Sequence, residues 1–176
     1  MVQGTFVPLT SRIVGHRRAA VVLALLAILL CFAPQAVSAE NAPLSTVIGV
    51  DKSDIVRVRV LRVNPEMDFA LTITPSSIER DFSLEATVTD KDSMGLDNIK
   101  AALWNVTIYA HGCKGVNYTA KTFPAFWAVL LFDDSGIMRS AIYLSNDGHC
   151  SVVANHLYAL DPTLIIFLRR YFGFMN

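Results

Sequence analysis

Apolar and polar side chains alternate through several stretches of this chain, and that two-residue period constrains its fold more than any other feature. Over residues 55–63, Val56, Val58 and Val60 share one face while Arg57 and Arg59 share the other, as in a half-buried strand. Residues 69–74 repeat the pattern, with Phe69, Leu71 and Ile73 opposed to Ala70, Thr72 and Thr74. So do residues 82–89, where Phe82, Leu84, Ala86 and Val88 oppose Ser83, Glu85, Thr87 and Thr89. The polar side of that last run predicts a sheet with one face in water. A short run at 47–50 predicts a preceding strand, residues 40–45 read as a flexible leader, and Thr74-Pro75 predicts a single helical turn.

The stretch 126–132 is different. Phe126, Ala128, Leu130 and Phe132 fall on one side and Trp127, Val129 and Leu131 on the other, so it predicts a central strand covered on both faces. Asp133-Asp134-Ser135-Gly136 and Asn146-Asp147-Gly148 are turn signals that bound two further strands, at 137–144 and 149–154. Residues 106–110 predict one more strand, leading into a loop over 111–124.

Two segments carry the helical period instead. Leu96, Ile99, Leu103 and Val106 predict a helix over 96–104, with Asp92 or Ser93 as cap and Gly95 in its first turn. Near the end, Asp161 and Pro162 open a helix whose apolar face is Leu164, Phe167, Leu168, Tyr171 and Phe172, and Gly173 stops it. Strands, helix, strands, helix is the order of an α+β fold with a mainly antiparallel sheet, a middle helix and a C-terminal helix. The alternative is a β-sandwich in which residues 96–110 are extended throughout.

Residues 1–39 read as a cleaved secretory signal peptide. Arg12, Arg17 and Arg18 precede an apolar run over 19–32, with Pro34 and the small residues Val37 and Ala39 after it. The run is shorter than the roughly 20 residues that span a bilayer. Cleavage after Ala39 leaves 40–176 as one small globular domain, exported to the periplasm or the extracellular space. A protein that keeps this segment as a membrane anchor is the alternative; otherwise the membrane is met only during export.

Of three cysteines, Cys31 lies in the leader, so Cys113 and Cys150 remain and predict a disulfide in an oxidising compartment. The chain holds 15 basic and 15 acidic residues, and without the three leader arginines the remainder has 12 against 15. That balance gives no basic face for many phosphate contacts, which argues against a nucleic-acid partner.

No motif assigns chemistry. Each remaining cysteine has a histidine beside it, His111 and His149, and Asp147 stands two residues from His149, so His111, Asp147 and His149 form a candidate metal set. The same residues are where a metal-dependent or hydrolytic enzyme would be built. Asp90-x-Asp92-x-x-Gly95 begins like a calcium loop, but Met94 and Ala101 stand where oxygen ligands belong. No Gly-x-Ser-x-Gly or phosphate-binding glycine loop occurs. Asn105-Val106-Thr107 and Asn117-Tyr118-Thr119 match the glycan acceptor pattern. Arg57 and Arg59 predict cross-strand charge pairing with Glu85, and Arg169 and Arg170 add charge to a C-terminal helix expected to dock on the sheet. The expectation is therefore an exported domain that binds a protein or small-molecule ligand without a cofactor and without catalysing a reaction.

Overall fold

The computed structural model describes residues 41–64, 66, 72–109, 112–113 and 117–173. The described residues form β1 (Ala42–Pro43), α1 (Ser45–Ile48), β2 (Arg57–Arg62), β3 (Leu84–Thr89), α2 (Ser93–Asn105), β4 (Thr107–Tyr109), β5 (Trp127–Phe132), β6 (Met138–Leu144), β7 (Cys150–Val153), β8 (His156–Leu160) and α3 (Thr163–Tyr171). All eight strands join one open sheet in the order β1-β4-β8-β7-β6-β5-β2-β3, with every pairing antiparallel. The protein is thus α+β, with a middle and a C-terminal helix. Residues 96–109 are helix and then a short strand, so the sandwich alternative falls.

Alternation along β5 sorts the core into two. Trp127, Val129 and Leu131 join Val58, Val60, Ile142 and Leu144 under the helices, where Leu96, Ile99 and Leu103 of α2 and Leu164, Ile165 and Leu168 of α3 pack on them. Ala128 and Leu130 point the other way and meet Leu61, Val63 and Val152 beneath Ile78, Phe123 and Ala125 of the long connections. Both helices lie on one face because their apolar stripes need cover and the loops already occupy part of the other. Towards β3 the loop face opens to water, and there Arg59 pairs with Glu85 through Nε and Nη2. Arg57 stacks 4.2 Å from the centre of the Phe132 ring and Arg59 5.4 Å from that of Phe82.

Several expectations are corrected. Residues 47–50 are not a strand: Leu44 and Ile48, one helical turn apart, are both buried, and Gly49 in the left-handed region (φ 72°) ends α1. Nor is 40–45 wholly a free leader. Ala42 and Pro43 pair with Ile108 and Thr107, and Leu44 is fully buried, donating its amide to the Val106 carbonyl. Of the strand expected at 69–74, residues 69–71 lie outside the described set and 72–74 are irregular. Phe82 does not share a face with Leu84. The Ser83 amide donates to the Arg62 carbonyl (2.8 Å) beside the Arg62–Leu84 pair, so an extra residue stands opposite Arg62 and turns Phe82 into the loop-side core. β8 carries no hairpin signal in the sequence because the turn before it, Ala154-Asn155, contains no glycine.

The expected cap of α2 is present, with Asp92 accepting from the Gly95 amide (3.1 Å), whereas the N-cap of α3 is Pro162 and Asp161, one residue earlier, accepts from the Thr163 amide (2.8 Å).

Candidate functional site

The helices meet where α3 docks beside α2, and their surfaces leave an open depression of about 340 Å³ between them. Ala101 and Ala102 of α2 and Leu164 and Phe167 of α3 form its apolar lining, and the small alanines keep it from being filled. Asn98, Asn105 and Thr163 supply neutral hydrogen-bonding groups at its margin. Asn98 and Asn105 are seven residues apart, two helical turns, so they stand on one side of α2. None of these lining residues carries a charge. A second depression of about 380 Å³ shares Thr163 and Phe167 and continues across α3 to Ile166, Arg170 and Tyr171. Ile166 is 46% exposed, a large apolar side chain left in water.

The two helices are drawn together by a contact at their ends. Tyr171 of α3 hydrogen-bonds Asp92, the N-cap of α2; burial pushes the phenol up and the neighbouring carboxylate adds to it. Gly95 makes this approach possible, since a Cβ there would overlap both Asp92 Oδ2 and the Tyr171 hydroxyl. On the far side of α3, Arg169 Nη2 donates to the Asn146 carbonyl (2.8 Å), fastening the helix to the β6–β7 turn. The arginines 169 and 170 are thereby divided: one docks the helix, the other stands exposed beside Ile166.

Cys113 and Cys150 form a disulfide, with Cα atoms 5.7 Å apart. It ties the connection after β4 to β7. Of the residues proposed for metal binding, Asp147 and His149 lie at the β6–β7 turn, just before Cys150. His111 lies outside the described residues. Asp147 is exposed in the β6–β7 turn, where its Oδ1 accepts from Ser145 Oγ (2.6 Å) and from the His149 amide (3.1 Å). Burial raises its carboxyl, but these two hydrogen bonds and the His149 side chain outweigh burial and hold it below the usual range. Its carboxylate is therefore employed in shaping the turn. His149 is exposed, and its backbone carbonyl accepts from Leu160. Among the described residues, no three His, Cys, Asp or Glu side chains are grouped to hold a metal ion.

A third, polar depression of about 300 Å³ is lined by Ser53, Asp54, Asp133, Asp134 and Arg139. Its acids belong to turns: Asp133 Oδ1 accepts from the Ile137 amide (2.9 Å), and Arg139 stands 3.7 Å from Asp133. The helical depression is missed by sequence reasoning because Ala101, Ala102 and Phe167 read as ordinary positions of amphipathic helices. The usable signal is a pair of adjacent alanines on α2 where larger apolar residues would complete the packing. The chain matches no known family, no curated protein and no solved structure.

Proposed function

We propose that this protein is an exported, non-catalytic binding domain and that the depression between α2 and α3 receives an apolar side chain of a protein partner. The observation that carries this reading is the depression's lining: apolar in the middle, amide and hydroxyl at the margin, with no ionisable side chain to act as acid or base or to activate the Thr163 hydroxyl. General acid–base or nucleophilic catalysis needs such a group within reach of the substrate. The depression is open rather than enclosed, which suits a protein surface better than a small molecule that must be largely buried to bind.

Export is supported by the charged, apolar and small-residue layout of residues 1–39 and by a disulfide, a bond that persists in oxidising compartments. Among the described residues no helix is long and apolar enough to cross a membrane.

A photo-crosslinking residue in place of Ala101 tests the site in the producing cell. It is expected to trap a defined partner that the same residue in place of Ser135, at the β5–β6 turn, does not. Equal or absent trapping at Ala101 overturns the reading. Native mass spectrometry of protein purified without chelator or reductant tests the rest. The expected species is residues 40–176 less two hydrogens; a stoichiometric metal would instead bring His111, Asp147 and His149 forward as an enzyme site, and retention of residues 1–39 would favour a membrane-anchored protein.

A further inference from the structure

The two edges of the sheet are built differently. At one, β1 contributes only Ala42 and Pro43, and Pro43 has no N–H to offer another strand. At the other, β3 runs for six residues, Leu84–Thr89, without proline, glycine or lysine. The amide of Asp90 donates to the Val56 carbonyl (3.0 Å), which sets the phase of the ladder. Alternation then directs the backbone groups of Leu84, Ala86 and Val88 at β2 and those of Glu85, Thr87 and Thr89 away from the sheet. No described strand pairs with that outer side.

We propose that β3 pairs antiparallel with β3 of a second copy of this chain, about a two-fold axis through Thr87. The argument is complementarity. With the axis there, Thr87 exchanges N–H and C=O with its own equivalent, and the Thr89 amide of each copy donates to the Glu85 carbonyl of the other, while the Thr89 carbonyl stays with the 3-10 turn at residues 90–92. Residues facing one another then share a sheet face, with Ala86 opposite Val88 on the helical side. Charge agrees as well: Glu85 keeps its own Arg59 and opposes a threonine rather than another carboxylate.

Exposed apolar surface points to the same axis. Leu84, at the start of this edge strand, is 42% exposed, and Met94, in the first turn of the helix that follows, is 75% exposed. The two-fold sets Leu84 opposite Asp90 of the second copy, the residue leading into the turn of α2 that carries Met94. A single strand pair is smaller than a standard interface of about 1,600 Å², so the dimer is a weak, reversible one.

Sedimentation equilibrium of the full chain as purified from its producing cell tests this, together with two variants. The expected result is a reversible monomer–dimer equilibrium that Thr87→Pro weakens by about tenfold or more while the far-ultraviolet spectrum is unchanged, because the Thr87 N–H makes no bond to β2 and proline is tolerated on the open side of an edge strand. Thr87→Cys is expected to form a disulfide-linked dimer in air much faster than Ser135→Cys, since the axis brings the two copies of position 87 together. A monomer at all concentrations, a Thr87→Pro variant that associates as before, or equal cross-linking of the two cysteine variants overturns the proposal. If Thr87→Pro fails to fold, the cysteine pair decides.

Discussion

Ala154 and Asn155 connect β7 to β8 with φ of 48° and 63°, the paired left-handed conformation of a type I′ turn. Alanine incurs a steric penalty there that asparagine and glycine avoid. Replacing the pair by Asn-Gly is expected to raise stability by about 1 kcal/mol, or about 3 °C in Tm, and thermal unfolding by circular dichroism would show it. Asp147 works in the opposite sense. Asp147→Ala removes the acceptor for Ser145 Oγ and the His149 amide and is expected to cost about 1 kcal/mol in urea denaturation, whereas Asp147→Asn keeps an acceptor and costs less. Its folded pKa lies below 3.8, so its contribution is complete above that pH and is lost as the pH falls through the folded value. The acid limb of the stability profile should flatten in Asp147→Asn. The turn itself is legible in the sequence, since Asn-Asp-Gly is a turn signal; the commitment of the carboxylate to that turn is not, because a sequence does not show which lone pairs are occupied.

At the scale of elements, Gly148 decides how closely α3 approaches the β6–β7 turn. It sits at φ 75°, and a Cβ there would lie 2.5 Å from Ile165 Cγ2. Gly148→Ala therefore combines backbone strain with overpacking against α3 and is expected to destabilise by about 2–3 kcal/mol, read from the denaturant midpoint. The β2–β3 pair is more tolerant. The Arg59–Glu85 ion pair is partly exposed, so Glu85→Gln should cost less than about 1 kcal/mol, with a loss that shrinks as salt is added. Hydrogen bonding from Arg59 acts against the burial that would raise Glu85 and holds its pKa below 4.5, so this small contribution is present above that value and disappears below the folded pKa. Most of these elements can be read from their periods. β1 and α1 cannot, because a two-residue strand and one helical turn are too short to establish a period, and both exist through burial of Leu44 and Ile48.

For the molecule as a whole, the disulfide is the largest single constraint open to test. It joins Cys113 to Cys150 across a sequence separation of 37. Replacing both cysteines by serine is expected to lower unfolding free energy by about 2–4 kcal/mol, mainly by freeing the unfolded chain, and urea denaturation of the variant against the oxidised protein measures it. The bridge anchors the connection that crosses to the loop-side core, where Phe123 and Ala125 are buried. Reduction should therefore increase hydrogen exchange in residues 117–126 before it reaches β5.

Local chemistry along the chain enforces one part of this architecture. Alternation forces strands at β2 and β3, turn signals bound β6, the switch to helical spacing forces α2 and α3, and Asp92, Asp161 and Gly173 flank those helices. The even apolar content of both sides of residues 126–132 requires a strand covered twice, and Trp127 and Leu130 are indeed buried on opposite faces. Partners distant in the chain decide the remainder. They set the strand order, which carries α2 from one edge of the sheet to β4 near the other. They turn Phe82 to the loop side through one extra residue at Ser83. They leave a depression between two helices whose faces, taken singly, look complete. Periodicity is a property of neighbours along the backbone, whereas a strand order, a bulge and a groove are properties of surfaces that meet only after the chain has folded.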